Sequence, residues 1–290
     1  MLLRIAYQLI SSSLPVLFFL LLSGCSTVIS STTTRLSDNL ARTILDSDDP
    51  QTVADGAPSY LLLLDSFILD SPDNKALLLS AANLYSAYAG VFVDDPARAA
   101  RMSSRALNYA EQALCIDNKH WCEVRSLPFE QFTNTIEQLH KQDVGPWYSF
   151  AAAWAGWIQT HSGDMSAIAQ LPKVSAVMQR MIELDETWQH GGPHLYMGVL
   201  STLLPPALGG KPEVGRQHFQ RAIEISRGQN LMAKVLYAEK YARLVFDQSL
   251  HDQLLNEVLS ADPHAHDLTL MNTLAQQRAD ELLQSSPDYF

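Results

Sequence analysis

The stretch VGRQHFQRAIEIS, residues 214–226, decides the fold class. Gly215, Phe219, Ala222, Ile223 and Ser226 fall at i, i+4, i+7, i+8 and i+11, positions that share one face of a helix. Along that face a small residue is followed by an aromatic and then by small residues again. Small side chains let a second helix approach closely, and the ring fills the space beside them. This is the spacing of the second helix of a tetratricopeptide repeat (TPR), a helical hairpin with a period of 34 residues.

The same rhythm recurs on both sides. Leu78, Ala81, Ala82 and Tyr85 predict a helix over about Asn74–Gly90, and Ala99, Ser103, Ala106 and Ala110 predict another over about Pro96–Cys115. Pro96 stands in a first turn, where its missing N–H does no harm. Trp147, Ala151 and Trp154 precede a Ser162-Gly163-Asp164 turn and a helix expected from about Ser166 to Leu184. Val235, Ala238 and Tyr241 lead through Leu254, Leu255, Val258 and Leu259 to a stop at Ala261-Asp262-Pro263. Strand signals, alternating β-branched residues joined by Asn-Gly or Asp-Gly turns, are nearly absent. Loop lengths differ, and LPPALGG at 204–210 interrupts one pair, so any repeats are degenerate. The expected fold is all-α over residues 37–290: TPR-like helical hairpins in a compact α-solenoid, or a generic bundle with Ala-rich seams.

Ahead of this domain, Arg4 precedes a short apolar run, Leu14 through Leu22, which ends in Leu22-Ser23-Gly24-Cys25. A brief apolar core closed by small residues is a signal peptide; a spanning helix needs about 20 apolar residues without a break. Small residues immediately before a cysteine mark a lipoprotein signal over residues 1–24, with Cys25 as the lipidated residue. More than one acyl chain is needed for stable anchoring, and a triacylated Cys25 supplies that. Residues 26–36 are polar and read as a tether. Ser26 follows the cysteine where Asp would favour inner-membrane retention, so the expected address is the periplasmic leaflet of the outer membrane.

The chain has 20 basic and 31 acidic residues. Cleavage before Cys25 removes Arg4 and no acid, which leaves 19 against 31, a formal −12. Nucleic acids and anionic lipid surfaces select for basic patches, so neither is an expected partner. Cys115 and Cys122 are the remaining cysteines. On one unbroken helix their Cα atoms would lie about 10 Å apart, beyond the roughly 7 Å reach of a disulfide. A bridge therefore requires the helix to end near Asp117-Asn118; otherwise both are buried thiols.

No catalytic constellation emerges. Gly209-Gly210-Lys211 lacks the upstream glycine of a phosphate loop and is followed by Pro212 and Glu213, where the chemistry needs a hydroxyl. His264 with His266, and His190 with His194, have no acidic ligand at helical spacing to complete a metal site, and surface histidines are expected. There is no Gly-x-Ser-x-Gly elbow. No enzyme activity, metal or cofactor is predicted. Trp147, Trp154 and Trp157 fall at i, i+7 and i+10, near one face beside Tyr148. That face is either core or the lining of a concave ligand or partner surface, which inner helices of such repeats present. Tyr196 and the loop residues Pro205, Pro206, Leu208, Gly209, Gly210 and Lys211 are candidates for the same surface.

Several longer stretches bear on function together. They are DDPQTVADGAPSYLLLLD at 48–65, SPDN at 71–74 with Ala81-Ala82 and Leu84-Tyr85, GGPHLYMG at 191–198, and PPALGGKPE at 205–213 running into His218-Phe219 and Ala222-Ile223. Across roughly residues 40–265 the chain resembles the T-component family of TRAP (tripartite ATP-independent periplasmic) transporters, the TPR-containing periplasmic lipoproteins associated with solute-binding proteins. The resemblance implies a non-enzymatic scaffold that binds a TRAP solute-binding protein. It also implies a homo-oligomer, a trimer, around a channel or groove suited to a small hydrophobic or acidic ligand. The competing function is a TPR adaptor lipoprotein of an envelope secretion or assembly complex, which needs the same grooves and anchor.

Overall fold

The computed structural model describes residues 39–290, and residues 42–290 form one compact unit. The signal segment, Cys25 and the tether through residue 36 lie outside the described residues. Every regular element among the described residues is helical. The first half contains α1 (Pro50–Asp70), α2 (Lys75–Val91), α3 (Pro96–Asp117), α4 (Phe129–Glu137) and α5 (Val144–Thr160). A one-turn α6 (Met165–Ile168) leads to α7 (Leu171–Asp185), α8 (Trp188–Ser201) and α9 (Pro212–Ile225). The chain closes with α10 (Leu231–Leu236), a π-helical segment (Tyr237–Ala242), α11 (Gln248–Ser260), α12 (Thr269–Gln284) and the short α13 (Ser286–Tyr289). None of the described helices is long and apolar enough to cross a membrane.

The helix starts are written locally. Asp49 and Asp95 each precede a proline, and their carboxylates accept backbone N–H groups of the first turn: Gln51 and Thr52 for one, Arg98 for the other. An aspartate cap satisfies donors that the helix leaves open and places negative charge at its positive end. Asn74 caps α2 through the Leu77 N–H. The helix expected over Ser166–Leu184 is instead broken into α6 and α7 at Gln170. The cause is Pro172, which has no N–H for the carbonyl of Ile168 four residues back and is tolerated only in a first turn.

Pro58 lies inside α1 without ending it. A proline has no N–H for the carbonyl four residues back, here that of Ala54. The Tyr88 hydroxyl of α2 donates to that Ala54 carbonyl at 3.2 Å. The neighbouring helix thus supplies the bond that the proline removes. Tyr88→Phe should lower the unfolding free energy by about 1 kcal/mol, read as a smaller denaturant midpoint with an unchanged slope. An unchanged midpoint would show that water serves the carbonyl as well.

Packing runs from each long helix to the next: α1 on α2, α2 on α3, α3 on α5, α5 on α7, α7 on α8, and α8 on α9. The seams are lined by small residues, with Ala81, Ala82, Ala106, Ala110, Ala151 and Ala222 all fully buried. Large side chains fill the space between seams, among them Leu78, Leu114, Phe132, Phe150 and Met178. Phe219 anchors the C-terminal part of the core with Leu231, Tyr237, Leu255 and Val258.

Asp65 of α1 ties three helices together. Its carboxylate accepts from the Tyr85 hydroxyl of α2 at 2.7 Å, and from the Tyr109 hydroxyl of α3 at 2.7 Å and the Arg105 guanidinium of α3 at 2.8 Å. Burial and the adjacent carboxylate push both phenols above their ordinary pKa. They stay protonated donors at all ordinary pH.

Candidate functional site

Helix α8 contains the least ordinary backbone among the described residues. Gln189, His190 and Gly191 have φ of 48°, 55° and 84°, three consecutive left-handed residues. Left-handed backbone strains any residue with a Cβ by about 1–2 kcal/mol, and such strain persists only where the surroundings hold it. Here they do. A Cβ on Gly191 would meet the Ala222 Cα of α9 at 3.1 Å, and one on Gly192 would meet the Tyr148 hydroxyl of α5 at 2.4 Å. The GGP of 191–193 therefore reads physically: two bare positions admit α5 and α9, and Pro193 restarts a right-handed helix.

Against this turn, aromatic rings of α5 and α8 meet. The rings of Tyr148 and Tyr196 meet edge to face, 5.9 Å between centroids. The Trp188 ring lies over Gly145, close enough that a Cβ there would touch it at 3.3 Å. Both phenols are half-buried, and burial raises Tyr148 well above its ordinary pKa and pushes Tyr196 up to about 12. The Trp188 indole N–H is buried with no acceptor among the described residues. The contact is thus made of apolar rings whose polar atoms are neutral hydrogen-bond donors.

On the opposite side of α8, His194 and His218 meet Nδ1 to Nδ1 at 2.9 Å. Glu186 lies 3.3 Å from the other His194 nitrogen, Nε2. Arg221 donates to both Glu186 oxygens, which holds the carboxyl below the usual carboxylate range. His194 is buried, so the surface position expected for it from sequence is corrected. The signal was absent because its partner stands 24 residues away on the next helix. His264 and His266 are exposed. Asp46 reaches Asp267 across 221 residues of sequence, accepting its backbone N–H at 2.7 Å. With His266 these two carboxylates bring ligand-capable atoms within 4.8 Å of one another. Asp46 and His266 are exposed and Asp267 is half-buried; exposed acidic groups of this kind are common, and no metal role is assigned to them.

The tryptophan face divides by depth. Trp147 and Trp154 are fully buried and form core with Phe132 and Phe150, with ring centroids 5.2–6.5 Å apart. Trp154 also donates its N–H to Gln170 at 2.8 Å. Neither ring is accessible to a ligand or partner. Trp157 is half-buried, stacked on His161 at 4.6 Å with the Arg125 guanidinium 5.3 Å over its ring. Near its far end α3 stops at Asp117, Asn118 turns outward, and Cys115 and Cys122 are joined by a disulfide with Cα atoms 4.2 Å apart.

The loop between α8 and α9 presents a different surface. Leu203, Leu204, Pro205, Pro206 and Ala207 are exposed in sequence, and Val214 is exposed beside them. The loop is nonetheless fastened. Gly209 and Gly210 donate to the carbonyls of Pro206 and Pro205 at 3.0 and 3.1 Å, and Lys211 donates to that of Ser201 at 2.9 Å. Gly209 takes the left-handed conformation that this closure requires. Leu208 lies in the 3-10 turn of the loop, and the Lys211 side chain is exposed. Tyr196 and the loop residues therefore fall in two places, the α5–α8 aromatic contact and the α8–α9 loop.

Comparison with known proteins adds two findings. A family model described as TRAP transporter T-component matches residues 46–290. An uncharacterized protein of Treponema pallidum (strain Nichols) is 24% identical over 285 residues, which covers 88% of this chain and 85% of that protein.

Proposed function

The chain belongs to the TRAP transporter T-component family, and from that premise we propose that it is a lipid-anchored periplasmic scaffold that holds a TRAP solute-binding protein at the membrane. The family is a transporter component and not an enzyme family. In this reading the helical hairpins are degenerate TPR-like units stacked as a solenoid. Lipid on Cys25 fixes the chain to the periplasmic face of the outer membrane, and three copies associate around a shared path for ligand.

The observation that supports partner binding is the fastened apolar loop. Monomeric proteins rarely expose contiguous apolar patches without a use for them, and a loop that is already ordered loses little entropy on docking. Leu203, Leu204, Pro205 and Pro206 are the docking residues in this proposal. The ligand path in this proposal runs past the aromatic contact between α5 and α8. Its Tyr148 and Tyr196 hydroxyls, protonated at any physiological pH, suit the carboxylate of a small ligand whose apolar part lies on the rings.

The test is affinity capture from detergent-solubilised envelopes. The wild type should retain a solute-binding protein, and a Leu203→Asp, Leu204→Asp variant should bind it at least about tenfold more weakly, since a charge buried in a docking patch costs more than one such factor. Capture of secretion-pore or insertion-machinery subunits in its place would reject the transport reading in favour of an envelope-assembly adaptor. Full retention by the variant would move the docking surface elsewhere.

A further inference from the structure

We propose that the His194–His218 contact is a two-proton latch, which holds the left-handed turn at 189–191 closed until both imidazoles are protonated. The geometry fixes the proton positions. Two Nδ1 atoms at 2.9 Å share one hydrogen, so one ring donates and the other accepts. Glu186 accepts from His194 Nε2 at 3.3 Å. A neutral imidazole carries a single N–H. The His194 hydrogen is therefore on Nε2, its Nδ1 accepts, and His218 donates from Nδ1. The result is a directed chain from Glu186 through His194 to His218, whose terminal Nε2 keeps its lone pair.

This arrangement responds to acid in two unequal steps. A first proton enters at His218 Nε2, and the Nδ1 hydrogen still bridges the rings, so the contact survives. A second proton has only His194 Nδ1 to occupy, and there it meets the hydrogen of His218. Two N–H groups then face each other and the contact must open. Arg221 sharpens the effect, since its cation is committed to Glu186 and Glu224 beside the pair. The charged groups facing the rings are thus Glu186 ahead of α8 and Arg221 on α9. Tyr148 and Tyr196 contribute no charge.

Opening matters because of what the contact restrains. His194 stands three residues after Gly191, which packs on Ala222, and His218 stands one turn before that same alanine. Separating the rings removes the polar tie between α8 and α9 next to three residues in strained backbone. Gly192, directly after that turn, lies against the Tyr148 ring of α5.

Burial lowers both histidines, His218 to about 4. Below the unfolded-state value of 6.5 the unfolded chain therefore binds more protons than the folded one. Stability is complete above 6.5 and is lost as the pH falls toward about 4, the direction required by proton linkage.

Two measurements test the latch on the full chain. Nitrogen-15 NMR of the imidazoles in the wild type should show a His218 Nδ1–H shared with His194, and coupled titration of the pair with both steps below 6.5. Amide exchange of residues 188–194, corrected for the intrinsic pH dependence of exchange, should accelerate about tenfold across the second step, as a local opening does. In His218→Gln the amide side chain still bridges to His194 but takes no proton, and the acceleration should fall below about threefold. Independent titration of the two rings at 6.5 would overturn the proposal. So would acceleration in His218→Gln equal to that of the wild type. Should that variant not fold, the wild-type imidazole spectra decide alone.

Discussion

Trp154→Ala is expected to cost about 3–5 kcal/mol of stability, the range for removing a large ring from a packed core, and to lower the thermal midpoint by about 10 °C. The ring is fully buried among Phe132 and Phe150, and its N–H is bonded to Gln170. Truncation leaves a cavity and an unpaired amide together. Trp157→Ala, three residues on, should cost only about 1 kcal/mol, because that ring is half-exposed and loses mainly a stack and a cation contact. Thermal and urea unfolding of the pair would separate them. Equal midpoints for the two variants would contradict the division of this face into core and surface.

Asp65→Ala should be nearly as damaging, at about 2–3 kcal/mol. One side chain serves three donors from two other helices, and its loss strands two tyrosine hydroxyls that have little access to water. Arg105 is half-exposed and can turn to solvent, so its share is discounted. Tyr85→Phe and Tyr109→Phe should each cost about 1 kcal/mol, and a double-mutant cycle of Asp65→Ala with Arg105→Ala should return a coupling under about 1 kcal/mol. A total loss under about 0.5 kcal/mol for Asp65→Ala would mean that water replaces the carboxylate and that the three helices hold by apolar packing alone.

Both predictions rest on contacts that the sequence shows unequally. Helix positions were legible wherever the signal was local. The face at 214–226 is buried at Gly215, Phe219, Ala222 and Ser226, and α3 begins at Pro96 behind its aspartate cap. The tryptophan face was legible only as a direction. Spacing places residues on one side of a helix but does not say how much of that side a neighbour covers, so Trp154 and Trp157 looked alike. Pro172 is a local signal too, and it sets the start of α7 at Leu171, several residues beyond Ser166. Pairings between distant segments, His194 with His218 or Asp46 with Asp267, leave no mark in either segment. The left-handed turn had one in GGP at 191–193, but Gln189 and His190 before it are ordinary helix residues, and only packing holds them there.

The π-helical segment at Tyr237–Ala242 has a consequence for lengths. Arg243 donates to the carbonyl of Ala238, five residues back, so the turn there holds one residue more than the α-helical repeat. Excising Lys240 would turn that five-residue bond into a four-residue one, so α10 winds on regularly and the later side chains keep the faces they now present. Tyr241 would stay opposite Glu213, whose carboxylate accepts from its hydroxyl at 2.6 Å, and the rows of α11 and α12 that face the core would not be re-aimed. A regular α-helix that loses one residue turns everything after the gap by about 100°, whereas this segment carries its own slack and absorbs the same edit.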